Sequence, residues 1–111
     1  MIVKDIIDIL DGEIICEGDL NTEIKTACGS DMMSDVLAFA ENRDVLLTGL
    51  LNSQIVRTAH MLDMSCIIIV RGKKATEEIK TLAVQNHIAL LETKLTMYES
   101  SGRLYEGGLG R

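Results

Sequence analysis

The stretch Val45-Leu46-Leu47-Thr48 is apolar without alternation, the pattern of a strand buried on both faces, and a helical pattern follows it. Cys66-Ile67-Ile68-Ile69-Val70 is the strongest strand signal in the chain, and Ile88-Ala89-Leu90-Leu91 is a further strand. Residues 24–28 form an earlier one, weaker in pattern. The strand-to-helix joints fall about 20 residues apart, which is one βα unit each and not a solenoid repeat. Such alternation means right-handed βαβ units on a mainly parallel sheet, with helices over both faces. The expected fold is an α/β/α sandwich of about five strands. A chain of 111 residues is one domain, large enough for a core without staples.

The connecting stretches support this. Residues 1–10 place Ile2, Ile6, Ile9 and Leu10 on one helical face and Lys4, Asp5 and Asp8 opposite. This predicts an amphipathic helix over residues 1–9, stopped by Asp11-Gly12. Glu13-Ile14-Ile15-Cys16-Glu17 reads as a brief strand, and Gly18-Asp19 turns the chain. Over residues 32–40, Met33, Val36, Leu37 and Ala40 recur at helical spacing, with Ser30 or Asp31 as N-cap. Asn52 or Ser53 caps the next helix, whose buried stripe is Ile55, Val56, Ala59 and Leu62. Thr76 caps a helix that carries Ile79, Leu82 and Ala83 inward. Thr96-Met97-Tyr98-Glu99 fits a capping box, and the helix it starts runs to Tyr105. Residues 107–111 are expected to fray. Phe39, Tyr98 and Tyr105 are the only aromatics, so the core must be aliphatic.

Charge and cysteine usage exclude several classes. The net charge is -6 and the basic residues are scattered, with Lys73-Lys74 the closest pair. That argues against a nucleic-acid partner, whose phosphates need clustered Lys and Arg. Cys16, Cys28 and Cys66 are an odd number with no C-x-x-C spacing, and the N-terminus lacks the basic region of a signal peptide. The longest apolar run, residues 66–70, is far short of a membrane span. The chain is therefore expected to be cytoplasmic with reduced thiols and no membrane partner.

In a parallel sheet every strand ends on the same edge. The joints at residues 28–31, 48–53, 71–76 and 92–96 should line one rim, where helix N-termini offer free amides and a positive dipole end to an anion. Ligands in such folds bind in a crevice outside the carboxyl ends of the strands. The ligand-binding candidates are Gly29, Ser30, Asp31, Thr48, Gly49, Asn52, Arg71, Gly72, Thr93 and Thr96. The same residue types also turn chains and cap helices, so both readings stand. No G-x-G-x-x-G or G-x-x-x-x-G-K-[ST] is present. Arg71-Gly72-Lys73-Lys74 is the one local positive loop, suited to a phosphate or carboxylate or to plain solvation.

Catalytic signals are thin. Cys28 precedes a helix start, a place that lowers thiol pKa, yet a small residue buried at a strand end is the better explanation. Asp31 and Asp35 lie one helical turn apart and could hold Mg²⁺ with a phosphate, or serve as cap and surface residue. His60 and His87 have no partner at nucleophile-base spacing, and the cysteines and histidines lack metal-ligand spacing. No catalytic residue, metal or cofactor is assigned.

The string Gly29-Ser30-Asp31-Met32-Met33-Ser34-Asp35-Val36-Leu37 resembles a DRTGG domain. So do Val45-Leu46-Leu47-Thr48-Gly49, Ile68-Ile69-Val70-Arg71-Gly72 and Ile88-Ala89-Leu90-Leu91-Glu92-Thr93 with Thr96 after it, over roughly residues 10–106. The string D-R-T-G-G is itself absent, and Asn42-Arg43-Asp44 only echoes its beginning. The resemblance implies a small α/β domain like those attached to CBS domains in regulated pyrophosphatases and to phosphotransacetylases. It extends to the N-terminal domain of HPr kinase/phosphorylase, but not to the kinase activity, which resides in another domain of that enzyme; no P-loop follows here. It further implies a regulatory or assembly role, commonly as a dimer, without catalysis of its own.

Three readings follow. The first is a non-catalytic regulatory module, homodimeric, that binds a small anionic metabolite or adenine nucleotide at the rim and acts on a partner enzyme. The second is a structural interaction subunit without a ligand. The third is an enzyme using Cys28 or the Asp31/Asp35 pair.

Overall fold

The apolar runs form a five-stranded sheet, and the amphipathic stretches form helices that cover both its faces. In the computed structural model, which describes residues 1–40 and 42–110, the chain begins with α1 (Val3–Leu10), β1 (Glu13–Cys16), β2 (Ala27–Gly29) and α2 (Met33–Phe39). It continues with β3 (Val45–Thr48), α3 (Gln54–Met61), β4 (Cys66–Ile69), α4 (Glu77–Gln85), β5 (Ala89–Glu92) and α5 (Met97–Glu106). The strand order is β1-β5-β4-β3-β2; β2 to β5 are parallel, and β1 joins β5 antiparallel.

The parallel strands share a register that sets which side chains meet. Cys28, Leu46, Ile67 and Leu90 form one row, and Gly29, Leu47, Ile68 and Leu91 form the next. Successive residues on a strand face opposite ways, so alternate rows serve alternate faces. Leu46, Ile67, Ile69 and Leu90 pack under α2, α3 and α4, against Val36, Ile55, Val56, Ala59, Ile79 and Ala83. Leu47, Ile68 and Leu91 pack with Val45, Cys66 and Val70 under α1 and α5, against Val3, Ile6, Leu10 and Leu104. Full burial of one such aliphatic side chain contributes about 1.5–3 kcal/mol, which is why strands covered on both faces need no alternation.

Because β2 to β5 lie side by side in chain order, the three crossover helices between them stack on one face. The strand order does not reverse within this parallel part, so it has no switch-point crevice of the kind expected. The site must come from the loops at the strand ends.

Several local expectations changed. β2 is shorter than residues 24–28 because the amides of Lys25 and Thr26 bond to the Asp44 carboxylate, at 2.7 and 3.2 Å, instead of to a ladder. Leu37 is exposed and does not join the buried stripe of α2. Asn52 supplies the polar contact at the start of α3, accepting from the Gln54 amide at 2.9 Å, while the Ser53 side chain makes no cap bond. The capping box at Thr96 is half made: Thr96 accepts from the Glu99 amide, but the Glu99 carboxylate takes Arg103 at 3.1 Å. Residues 107–110, expected as a frayed tail, make contacts with the sheet. Leu109 is buried and the Gly110 amide bonds to the Lys25 carbonyl, laying the tail along the outer edge of β2; Arg111 lies outside the described residues.

Candidate functional site

The loops after β2, β3 and β4 meet through one carboxylate. Asp31, in the joint before α2, turns towards β3: its Oδ1 accepts from the Gly49 amide at 2.6 Å and from the Thr48 hydroxyl at 3.1 Å. Its Oδ2 pairs with Arg71 Nη2 at 3.5 Å. The Gly49 amide, then Thr48 and the nearby Arg71 and Lys73 charges, hold the Asp31 carboxyl below its ordinary value despite some burial. One role expected for Asp31, that of helix cap, does not survive. It does not cap α2, whose N-cap is Met32, and Asp35 is a separate exposed residue of the first turn. Ser30 takes the local task, accepting from the Met32 amide at 3.0 Å.

The positive loop after β4 is exposed to solvent, yet its polar groups are engaged by neighbouring loops. Arg71 adopts a left-handed backbone (φ 64°), and its amide donates to the Leu95 carbonyl at 2.7 Å. Gly72 is also left-handed and donates to the Thr93 carbonyl at 2.9 Å. The Lys73 ammonium donates to the Gly49 carbonyl at 2.7 Å. Lys74 pairs at 3.4 Å with Glu92, a buried carboxylate whose other oxygen accepts from the Ala75 amide at 2.7 Å. A Cβ at Gly49 would stand 2.7 Å from the Arg71 guanidinium and push that flexible side chain aside, so the glycine lets Arg71 lie against Asp31.

The structure thus joins Asp31, Thr48, Gly49 and Arg71 into one cluster, with Lys73 added, and turns other candidates elsewhere. Gly29 faces α5, where a Cβ would meet Met97 and Ser101. The Thr93 hydroxyl donates to the Leu10 carbonyl of α1 at 2.7 Å, and Thr96 caps α5. Asn52 is occupied at the start of α3, and Gly72 is tied to Thr93.

Beside Asp31 a cleft of about 600 Å³ opens between α2 and α3, lined among others by Met32, Leu37, Leu50, Arg57 and Met61. Met32 and Met61 are largely exposed there. Sequence reasoning missed this cleft, since its lining comes from the flanks of two helices whose spacing is set only by the sheet. His60 and His87, distant in sequence, line one shallow hollow at the opposite edge, before β4 and β5. Burial raises the Cys28 thiol, with Arg43 offsetting only part, which removes the activation expected of a nucleophile. No group of three or more His, Cys, Asp or Glu among the described residues could hold a metal ion, and no helix among them is long and apolar enough to cross a membrane.

The family model of the DRTGG domain matches residues 5–106. The chain belongs to the DRTGG domain family. The match reaches back into α1, further than the resemblance of residues 10–106 implied. The crystal structure of the CBS and DRTGG domains of the regulatory region of Clostridium perfringens pyrophosphatase, complexed with its activator diadenosine tetraphosphate, is similar to this DRTGG domain. The TM-score is 0.74 at 19% identity, over 92% of this chain and 45% of that one. The likeness is therefore one of fold, and this DRTGG domain spans less than half of that structure. A comparison with curated proteins found no match.

Proposed function

We propose that this DRTGG domain is a non-catalytic regulatory and assembly module that works as a homodimer on a partner enzyme. Its ligand is a small anionic metabolite, an adenine nucleotide first among them, taken at the C-terminal edge of the sheet. The observation that carries this reading is the rim cluster. Arg71 and Lys73 stand at one point with the Gly49 amide and the Thr48 hydroxyl; Asp31 is bonded to Arg71, Gly49 and Thr48, and Lys73 to the Gly49 carbonyl. The cleft beside Asp31 offers apolar side chains to a base and the Arg57 guanidinium to a phosphate. The adenine nucleotide comes from the similar pyrophosphatase regulatory region, whose activator is diadenosine tetraphosphate. The exposed Met32, Leu37 and Met61 favour assembly, and the free Cys16, Cys28 and Cys66 suit a reducing cytoplasm.

One observation favours the structural subunit instead: the rim cations already have internal partners. Thermal melts decide between the two. Under the regulatory reading, AMP, ADP, ATP or diadenosine tetraphosphate, with or without Mg²⁺, raises the melting midpoint. A ligand at 100 times its Kd stabilises the folded state by about 2.7 kcal/mol, a shift of several degrees for a domain of this size. Midpoints that do not move with any of them leave the structural subunit.

A further inference from the structure

We infer that Asp31 is a built-in occupant of an oxyanion site, and that a phosphate group opens the rim by taking its place. The inference rests on the reading that the rim binds an anion, and adds how that binding is controlled. The donors around the Asp31 carboxylate are those that bind phosphate elsewhere: a backbone amide at 2.6 Å, a hydroxyl at 3.1 Å and a guanidinium at 3.5 Å. A fourth, the Lys73 ammonium, is anchored on the carbonyl of the same Gly49.

Charge makes the present occupant an imperfect match. Arg71 and Lys73 bring two positive charges and Asp31 one negative, so the closed cluster keeps one positive charge. A phosphate monoester carries about −1.5 to −2 at neutral pH and meets both cations. Geometry allows the exchange. The Asp31 and Arg71 side chains are each 49% exposed, so the carboxylate can leave into water without stranding a buried charge. The donors would stay in place, because the Arg71 and Gly72 amides are tied to the loop after β5 and Gly49 leaves room for the guanidinium. What moves is the joint before α2, on the wall of the α2–α3 cleft. Anion binding would thereby reach an exposed face on which a partner can act.

The test titrates the ¹⁵N-labelled full chain with inorganic phosphate and follows the Gly49 amide. Asp31→Ala should bind phosphate at least tenfold more tightly than the wild type, with the largest shift at Gly49. Asp35→Ala, which removes the same charge one turn away, should change affinity less than twofold. Adding Arg71→Ala to Asp31→Ala should abolish the gain. In the wild type, the Asp31 carboxyl ¹³C resonance should move together with the Gly49 amide, a readout independent of any variant's folding. Equal gains from Asp31→Ala and Asp35→Ala, a gain that survives loss of Arg71, or a silent Asp31 resonance would each overturn the inference. Tighter phosphate binding by Asp31→Ala alongside a flat nucleotide screen would remove the nucleotide reading and leave the site. Nucleotide binding by the wild type with no phosphate gain in Asp31→Ala would remove the inference alone.

Discussion

The hydroxyl of Thr93 donates to the carbonyl of Leu10 at 2.7 Å, a buried bond between the end of β5 and the last residue of α1. The same oxygen accepts from the Leu95 amide at 3.2 Å, so Thr93 satisfies one of the carbonyls a helix end leaves free and orders the loop towards α5. Thr93 therefore belongs to the frame of the domain. Thr93→Val keeps the shape and removes both bonds, and should cost about 1–3 kcal/mol in urea unfolding because buried groups lose partners. Binding of anions at the rim should stay within twofold. Unchanged stability with weakened binding would place Thr93 in the ligand site after all.

Gly18 shows where a turn signal is a packing requirement. It adopts φ 52°, and a Cβ on it would stand 2.5 Å from the Ala89 amide nitrogen of β5. Backbone on both sides cannot yield as a side chain can. Gly18→Ala should destabilise the domain by roughly 2 kcal/mol or more. Gly72 is left-handed as well, but a Cβ added there would have nothing within 4 Å, so Gly72→Ala should cost only the conformational part, about 1 kcal/mol. Equal losses at the two sites, read by denaturant midpoints, would contradict this contrast.

Strands and helix starts were legible wherever one short window carried the whole cause. Residues 45–47 and 66–69 are apolar throughout and buried throughout, and Thr76 and Thr96 cap the helices they precede. Legibility failed where a distant residue intervened. The amides of Lys25 and Thr26 are taken by Asp44, which shortens β2. Asp31 has the local signature of an N-cap, and only the register that sets β2 beside β3 brings Thr48 and Gly49 within its reach. Leu109 sits in a glycine-rich tail that reads as loose, and only the fold supplies the pocket beside Leu104 that buries it.

The lowered pKa of Asp31 makes a signed prediction about acid. Its carboxylate is favoured in the folded state, chiefly by the Gly49 amide, so the unfolded chain takes up its proton first as pH falls. The stabilisation is fully present above the ordinary value of 3.8 and is lost as pH drops through the lower folded value. The stability difference between wild type and Asp31→Asn should be constant from pH 7 to about 5 and shrink below about 4. Both partners of the Arg71 pair are half exposed, so the salt bridge itself contributes less than about 1 kcal/mol. A difference that grows on acidification would contradict the assignment.

The cysteines should separate by burial. Burial raises all three thiols, Cys66 far the most, with Lys80 offsetting part at Cys16 and Arg43 part at Cys28. At neutral pH a thiol reagent should label Cys16 and Cys28 more slowly than free cysteine, and Cys66 only on unfolding. Labelling of Cys28 faster than free cysteine would restore the nucleophile reading.

The rim as an anion site is tested most directly by mapping amide shifts in the wild-type domain during titration with ADP. Saturable shifts should be largest at Gly49, Leu50, Gly72 and Lys73, with smaller ones at Met32 and Arg57 in the adjoining cleft. Shifts gathered on α1 and α5, or none at all at millimolar nucleotide, would contradict it.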